Sequence, residues 1–563
     1  MPTSIHGPFT VGIEHRKRGR RTEVRTGIQV QAGDTITTQS SGEVDFGGAF
    51  FGLGAPILDA DGDSWPTPSD YPAPSLRKNS LICKIGRAST TFFQGGVKRS
   101  FTAPTSGELI LDVNDKDTGD NSRGWTVFVI HDTPSPAPPG GPPPFIARSW
   151  NFQTIAGAGG FLGANVGHIP AAVVFGNDVH VFYGGENWKL NHIVLRHNWI
   201  SPFYTKITEE VLDGDGGPGG RTTNGIAYVF QISAVVFAGT LHVFYCELAR
   251  NIVLRHAFSS DGVNWTFEVV DGLGGLSGRI DGDCGLFNNP IVHKNRLHVF
   301  YYGQTDTALG PGDDGRGVRT RDLRHAVFDG MAWQCETLDG QGGPNGRVNA
   351  DVGLSMCAGV DPNDVLHVFY YDQTNTNLRH ARGDGQTWQF EIFDGSGDPN
   401  PVDPPEGLTR AKVGLWPTTA VFDNALHVFY HDLTFGNVRL ARLKDGKWSF
   451  QKLDGGGGPS GRTKNIVGNG VMATAVLPDQ LSLFYYDSTA RNLRHAWQKR
   501  GSNWVFETLD GEGGGQGRIN AEVGAGQISA AVQRFVGPTG TWDVVHLFYF
   551  DSSNKDLRYA FMV

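Results

Sequence analysis

Charge is scarce in this chain, and cationic charge scarcer still. Lysine and arginine number 48 against 57 aspartates and glutamates, and only 19% of residues are charged. A formal net charge of −9 makes no electrostatic case for nucleic acid as a partner. No apolar run approaches the ~20 residues of a membrane-spanning helix, so membrane insertion is not expected. The opening residues MPTSIHGPFT have neither the basic start nor the apolar core of a secretory signal, which reads as synthesis in the cytoplasm without a signal peptide. The five cysteines, Cys83, Cys246, Cys284, Cys335 and Cys357, are odd in number and lack metal-ligand spacing. Free, buried thiols in a reducing compartment fit them best. Zinc motifs and a GxSxG elbow are absent as well.

What the chain has in quantity is glycine, 78 residues, and self-similarity. An apolar segment ending in Phe-Tyr recurs seven times, at Tyr183, Tyr245, Tyr301, Tyr370, Tyr430, Tyr485 and Tyr549. The spacing of roughly 55 to 70 residues is that of a repeat architecture. After each comes LRHA or a variant, which places Arg196, Arg255, Arg324, Arg379, Arg439, Arg494 and Arg558 in equivalent positions. A Trp-x-Phe segment follows, built on Trp265, Trp333, Trp388, Trp448 and Trp504, with a looser version near Tyr204. A turn of the type LDGxGGPxGR closes the unit. Four short strands with Asp-Gly and Gly-rich punctuation make one propeller blade.

The ends of the array carry the decisive detail. The last copy stops after DLRYAFMV without its Trp-x-Phe strand, while an orphan SWNFQTIAGAGG stands ahead of the first complete copy. A seven-bladed ring whose last sheet borrows its outer strand from the N-terminal side has no free edge. The expected fold is therefore all-β: a β-sandwich over 1–132, a proline-rich linker over 133–145, and a seven-bladed β-propeller over 146–563 closed by an N-terminal strand. The sandwich is read from GIQVQAGDTITTQSSGEV, NSLICKIG, KRSFTAPTSGELILDV and GWTVFVI, which alternate apolar and polar residues between turns.

Several repeated residues could bind a ligand or merely hold the fold. The strand histidines His180, His242, His298, His367, His427 and His546, with Ser482 in the remaining blade, lie mid-strand in apolar runs and read as buried, hydrogen-bonded structure. The LRHA arginines suit a structural ion pair or strand cap, and the tryptophans suit packing between sheets. Arg221, Arg279, Arg347, Arg410, Arg462 and Arg518 follow the glycine-rich turns, where a pocket between blades must open. A guanidinium offers fixed donors to adjacent hydroxyls, and Trp416 or Phe287 could stack on a ring's apolar side; tying the loop down is the alternative. In the sandwich, Asp59, Asp61 and Asp63 have the look of a calcium loop that lacks its downstream glutamate. NDKDTGDNS, with Asp115, Asp117, Asp120 and Asn121, crowds hard oxygen ligands into one loop. The basic run His15–Arg21 is a solvated edge or a patch for an acidic glycan.

The order AGDxIxxxxSG, Phe46-Gly47, SLICKIG, FxAPxSGxLxLxVND and DNSxxW resembles the LecA-like (PA-I type) calcium-dependent galactophilic lectins, which are small jelly-roll sandwiches, over residues 27–130. The resemblance implies calcium held by side chains of Asp115, Asp120 and Asn121 and main-chain oxygens of Phe46 and Thr118, with two hydroxyls of a galactoside completing the coordination. The metal loop is shorter than the family's. The family's specificity histidine and glutamine fall near Tyr71, where neither residue type occurs, leaving Tyr71 and Asp115 as the candidate sugar contacts. The repeats of LHVFYY, NLRHA, WxFExLDG and GGxxGR resemble the PLL-type bacterial seven-bladed lectins over residues 145–563. That resemblance implies several inter-blade sites for fucosylated or methylated glycans.

Together the two resemblances point to a multivalent carbohydrate-binding protein that acts on extracellular or host glycans, with calcium as its cofactor and homo-oligomerisation left open. A protein-docking scaffold is the alternative. A glycosidase is the remaining one: SSDGVNW resembles an Asp-box one residue short, but near-identical blades offer no unique pair of acids, so no enzyme is expected.

Overall fold

The computed structural model describes residues 4–11, 23–41, 43–46, 57–63, 67–116, 122–132, 149–157, 166–186, 189–197, 204–226, 231–248, 251–306, 319–537 and 540–562. The linker 133–145, and Asp117, Thr118, Asp120, Asn121 and the basic run His15–Arg21, lie outside them. The chain divides into two compact units, one centred on residues 1–141 and the other on 142–196 with 205–563.

The first unit is a β-sandwich. One antiparallel sheet orders Ser4–Val11, Trp125–Asp132, Thr35–Ser41 and Lys98–Thr102; the other orders Val24–Val30, Gly107–Val113, Leu81–Ile85 and Phe92–Gln94. Alternation sends Ile28 and Val30 inward from the second sheet, where they meet Ile36, Val127 and Val129 of the first around the fully buried Trp125. A short third sheet pairs Ser122–Arg123 with Val44–Asp45 and Ile57–Leu58.

The second unit is built from seven four-stranded antiparallel sheets. In chain order their innermost strands are His168–Phe175, Ser233–Phe237, Cys284–His293, Val352–Val360, Val413–Phe422, Ala473–Val476 and Val523–Gly537. Each innermost strand touches the next, and the seventh touches the first, so the sheets close into a ring of blades numbered here 1 to 7. Trp150–Ala156 is the outermost strand of blade 7 and runs antiparallel to Asp556–Met562, with Trp150 opposite Met562. The closing strand read from the sequence is therefore in place.

Outer strand edges would be open to aggregation. Here four glycine-rich turns fold over the outer strand of the following blade and occupy its edge: Cys335 N donates to Ser277 O (2.8 Å), Phe390 N to Asn345 O (2.9 Å), Phe506 N to Ser460 O (2.9 Å) and Phe152 N to Gln516 O (3.0 Å). The close approach explains the glycines, since a Cβ on Gly278 would lie 1.8 Å from Cys335 O.

Between blades the same latch repeats. The aspartate that ends an outer strand, Asp339 for example, accepts from Gly340 N (3.0 Å) and Val348 N (2.8 Å) through Oδ1. Its Oδ2 accepts from Tyr370 Oη (2.6 Å) and Arg379 Nε (3.1 Å) of the next blade. Arg255, Arg324, Arg439, Arg494 and Arg558 pair with Asp213, Asp271, Asp394, Asp454 and Asp510 in the same way, at 3.0 to 3.3 Å. Of the two structural roles open to the LRHA arginines, the ion pair is the one adopted.

One equivalence needs correction. Tyr183 lies opposite Asn191, whereas Tyr245, Tyr301 and Tyr370 lie opposite Arg255, Arg324 and Arg379. Asn191, not Arg196, thus holds the arginine position of blade 1. Arg196 sits five residues further along the same strand and pairs with Asp178 of its own blade at 2.6 Å. The tripeptide Leu195-Arg196-His197 mimics the repeat out of register.

Candidate functional site

The candidate propeller sites lie where an outer strand, the glycine-rich turn after it and the outer strand of the next blade converge. Three positions on the blade face run in line. A histidine on the second strand reaches a histidine on the third, which reaches a glutamate on the fourth: His242 Nδ1 lies 2.9 Å from His256 Nε2, and His256 Nδ1 lies 2.9 Å from Glu268 Oε1. A carboxylate only accepts, so the proton of His256 is on Nδ1 and that of His242 on Nδ1. The line repeats as His180–His192–Glu210, His298–His325–Glu336 and His367–His380–Glu391, and as Ser482–His495–Glu507. Where the third-strand histidine is replaced, by Leu440 or Tyr559, the glutamate is replaced too, by Gln451 or Gln153. The second-strand histidines are buried and hydrogen-bonded, as their apolar setting implies.

Burial, followed by the charge of the adjacent imidazole, pushes His242 down to about 4 and His298 to about 3, so both are neutral near pH 7. Burial also opposes ionisation of Glu268, but hydrogen bonds from His256 and Trp333 and the nearby charge of Arg279 outweigh it and hold the carboxyl below its usual range. These glutamates keep one side open: Glu268 is 39% exposed and Glu336 47%.

The tryptophan of the following blade roofs this line. Trp333 meets Phe244 and His256 edge-on at 5.8 and 5.4 Å and donates its Nε1–H to Glu268 Oε1 at 2.8 Å. Trp265, Trp388, Trp448, Trp504 and Trp150 pack on the preceding blade in the same T-shaped way. The packing reading of the tryptophans holds, and Trp333 adds a polar contact to it. The indole Nε1 atoms of Trp265 and Trp388 are buried without a protein partner.

The arginines after the glycine turns complete the cluster. Arg221, Arg347, Arg462 and Arg518 lie over Phe267, Phe390, Phe506 and Phe152 of the next blade, 5.4 to 5.6 Å from the ring centres. Arg221 also comes within 3.9 Å of Glu210. Arg279 has Cys335 in the register position of that phenylalanine. Arg410 does not belong to the set. Asp394 Oδ1 accepts from Thr409 N, as Asp339 Oδ1 accepts from Val348 N, which puts Leu408 in the register of Arg347. The longer turn of this blade, with its extra Pro and Asp residues, displaces Arg410 to the surface, 80% exposed and 4.0 Å from Asp398.

Trp416 and Phe287 are also not at these interfaces. They sit on the innermost strands of blades 5 and 3, at bulges with φ of 53° and 54°, and their rings meet at 5.9 Å past the intervening blade 4. Trp416 N donates to Ser355 Oγ of that blade at 2.8 Å. Side chains of non-adjacent blades meet only on the axial side of the ring, so these aromatics face the axis. An aligned sequence position could not separate an axial from an inter-blade orientation, because a single bulge residue reverses the side chain's face.

In the sandwich, the structure brings Tyr71 and Asp115 to the same end of the unit. Asn114 clamps the loop that carries Tyr71, accepting from Ala73 N (2.9 Å) and donating to Ala73 O (2.9 Å) and Arg77 O (2.8 Å), and Lys116 pairs with Asp70. Asp45, next to the buried Phe46, pairs with Ser122. Of the residues named for calcium, Phe46 and Asp115 lie among the described residues, and Thr118, Asp120 and Asn121 lie outside them. Among the described residues no group of three or more His, Cys, Asp and Glu side chains could hold a metal. The carboxylates of the Asp59 turn are engaged by the protein: Asp59 Oδ1 accepts from Asp61 N (2.9 Å), Asp61 Oδ1 from Val97 N (3.1 Å) and Asp63 Oδ2 from Asn79 Nδ2 (3.3 Å).

The Asp-box-like turn is occupied by its own backbone as well. Asp261 Oδ1 accepts from Val263 N (2.9 Å) and Asn264 N (2.7 Å), and Asp329 and Asp384 close their turns alike.

No family model matches the chain, and no curated protein is similar to it in sequence. Solved structures similar to it include the fucose-specific lectin of Aleuria aurantia, 13% identical over 61% of this chain and 95% of that one, with a TM-score of 0.36. The SapL1 lectin in complex with alpha methyl fucoside is 14% identical over 61% and 95%, with a TM-score of 0.35. Trypanosoma rangeli sialidase in complex with sialic acid is 11% identical over 59% of this chain and 53% of that one, also at 0.35. At these identities and scores the likeness bears on neither site nor activity.

Proposed function

We propose that this protein is a multivalent lectin whose propeller binds neutral saccharides at its blade interfaces. The observation that carries the reading is the repeated cluster of an open carboxylate, a guanidinium and an indole N–H. It is complete at the interfaces of blades 1–2, 2–3, 3–4 and 6–7, as Glu210/Arg221/Trp265, Glu268/Arg279/Trp333, Glu336/Arg347/Trp388 and Glu507/Arg518/Trp150. A carboxylate accepts from sugar hydroxyls, a guanidinium donates to two neighbouring hydroxyl oxygens, and the aromatic wall takes the apolar edge of the ring. The histidine line orients each glutamate before a ligand arrives, which lowers the ordering cost of binding, and the hydrogen bonds from His256 and His495 help hold Glu268 and Glu507 below the usual carboxyl range. A sugar with a methyl in place of its exocyclic hydroxyl, as in a fucoside, or with O-methyl groups, presents the mix of hydroxyls and apolar edge that such a wall and cluster accept. Each cluster supplies one carboxylate, already engaged with an imidazole, so the reading is binding without glycoside hydrolysis.

The sandwich adds a calcium-dependent galactoside site at Phe46, Asp115, Thr118, Asp120 and Asn121, with Tyr71 on its rim. Calcium there would offer two coordination positions to vicinal hydroxyls. The test is a glycan array on the intact chain, with calcium and with chelator. Fucoside or O-methyl glycan binding that survives chelation, with galactoside binding that does not, is the expected pattern. Silence on every glycan would replace the lectin reading with a protein-docking platform.

A further inference from the structure

We propose that the interface of blades 5 and 6 takes an anionic saccharide, bearing a sulfate ester or a carboxylate, while the four complete clusters take neutral ones. This rests on the reading of the interfaces as saccharide sites. The repeat itself supplies the comparison. Here Gln451 stands in the glutamate register and Leu440 in that of its histidine, so the interface has lost its carboxylate and the group that oriented it. Arg462 and Trp504 remain, the arginine 5.4 Å over the Phe506 ring and the indole packed on Phe429.

Cationic side chains have gathered where the anion was lost. Lys464 lies across Gly457, its Cγ 2.8 Å from where a Cβ would stand, and Arg462 lies across Gly458, its Cδ at 3.3 Å. Lys452 lies across Gly456, its Nζ at 2.9 Å from the corresponding point, so three successive glycines carry three cationic side chains. Lys452 is paired with Asp403 at 2.7 Å. Arg462 and Lys464 have no carboxylate partner among the described residues. At four other interfaces the position over the glycine equivalent to Gly457 holds Thr223, Asp281, Asn349 or Asn520. In the 4–5 turn the matching register position is Arg410, which has Asp398 beside it, and the outer strand of that blade keeps its Glu391.

Two cations without a carboxylate partner, two residues apart on a glycine bed, with an amide in place of a carboxylate, repel no anion and offer donors to one. Arg462 can grip two oxygens of a sulfate or carboxylate, and Lys464 can donate to the third sulfate oxygen or share one of the carboxylate's two, with the sugar ring against Trp504 and Phe506.

The experiment is calorimetric titration of the intact chain with methyl fucoside, its sulfate ester, a methyl uronic acid glycoside and inorganic sulfate, for wild type, Lys464→Asn and Gln451→Glu. Asparagine already occupies this position at two other interfaces, so Lys464→Asn is expected to fold. The expected result is one anionic glycoside bound per chain, weakened about 10- to 100-fold by either substitution, the worth of one charge-assisted hydrogen bond. Methyl fucoside binding stays unchanged in both variants. Anionic ligands that bind wild type and Lys464→Asn equally, or inorganic sulfate that binds as tightly as the sulfated glycoside, would overturn the proposal and leave the neutral-sugar reading standing. Loss of methyl fucoside binding with the anionic site intact would do the reverse. The sulfate and uronic acid arms tell which anion is preferred.

Discussion

Ala156 stands where six outer strands carry the latch aspartate, and Asn191 stands where six third strands carry the arginine it would hold. The interface that closes the ring has lost both halves of the ion pair together. Neither a buried arginine nor a buried aspartate is left without its counter-charge, the loss that would cost ~3–5 kcal/mol. Tyr183, deprived of the aspartate, donates instead to Glu209 of its own blade at 2.8 Å.

This makes the closing strand the weakest seam. The amides of Trp150–Ala156 are expected to exchange with solvent faster than those of Trp388–Asp394, which occupy the same place in blade 4. Equal protection in hydrogen exchange would refute a weakened seam.

The latch itself is testable at Asp339. Asp339→Ala strands the buried Arg379 and releases Gly340 N, Val348 N and Tyr370 Oη. A loss of ~3–5 kcal/mol in denaturant titration is expected; a change under ~1 kcal/mol would mean that the latch is incidental.

Glu268→Gln should remove the negative charge and one acceptor oxygen while its remaining carbonyl oxygen can still accept from His256 Nδ1–H, lowering fucoside affinity at one interface by about 10- to 100-fold. The stoichiometry measured at modest ligand concentration should fall by one while the melting temperature barely moves, because Glu268 is partly exposed. An unaltered titration would remove the glutamates from the site.

Acid sensitivity follows from the histidine lines. His180, His242, His298 and His367 are depressed to about 3 or 4, first by burial and then by the neighbouring imidazole. Below the ordinary histidine value near 6.5 the unfolded chain takes up protons that the folded chain refuses, so stability falls as pH drops from about 6.5 toward 4. The melting temperature should decline across that window, and His242→Ser, which copies Ser482 of blade 6, should flatten the decline. A flat profile in the wild type would contradict the buried neutral lines.

Calcium should raise the melting temperature of the sandwich, by the equivalent of about 2.7 kcal/mol at 100 times its dissociation constant. Asp115→Ala should abolish the rise. A rise that persists in Asp115→Ala would move the metal elsewhere.

The repeat was legible because blade strands alternate, end in Phe-Tyr and return on Asp-Gly turns, and the orphan strand at Trp150 announced the closure. Its errors have physical origins. Leu195-Arg196-His197 satisfied the pattern five residues late, and only strand pairing with Tyr183 exposed Asn191 as the true equivalent. Arg410 satisfied a glycine-turn pattern in a turn of different length. Phe287 and Trp416 lay close to the glycine turns in sequence but face the axis, since each occupies a left-handed bulge. The glutamates of Trp-x-Phe-Glu went unremarked because a charged residue alternating with buried ones looks like solvent-facing strand; the signal available was their paired loss with histidine at Gln451 and Gln153.

By itself the sequence determined which segments become strands, how many sheets there are and that the ring closes through its N-terminal strand, because these depend on local periodicity and on counting. Only the tertiary structure decided which side chains share an interface. A blade interface joins residues tens of positions apart on two sheets, and a one-residue bulge or a longer turn shifts a side chain from pocket to axis or to open solvent without changing the pattern along the chain.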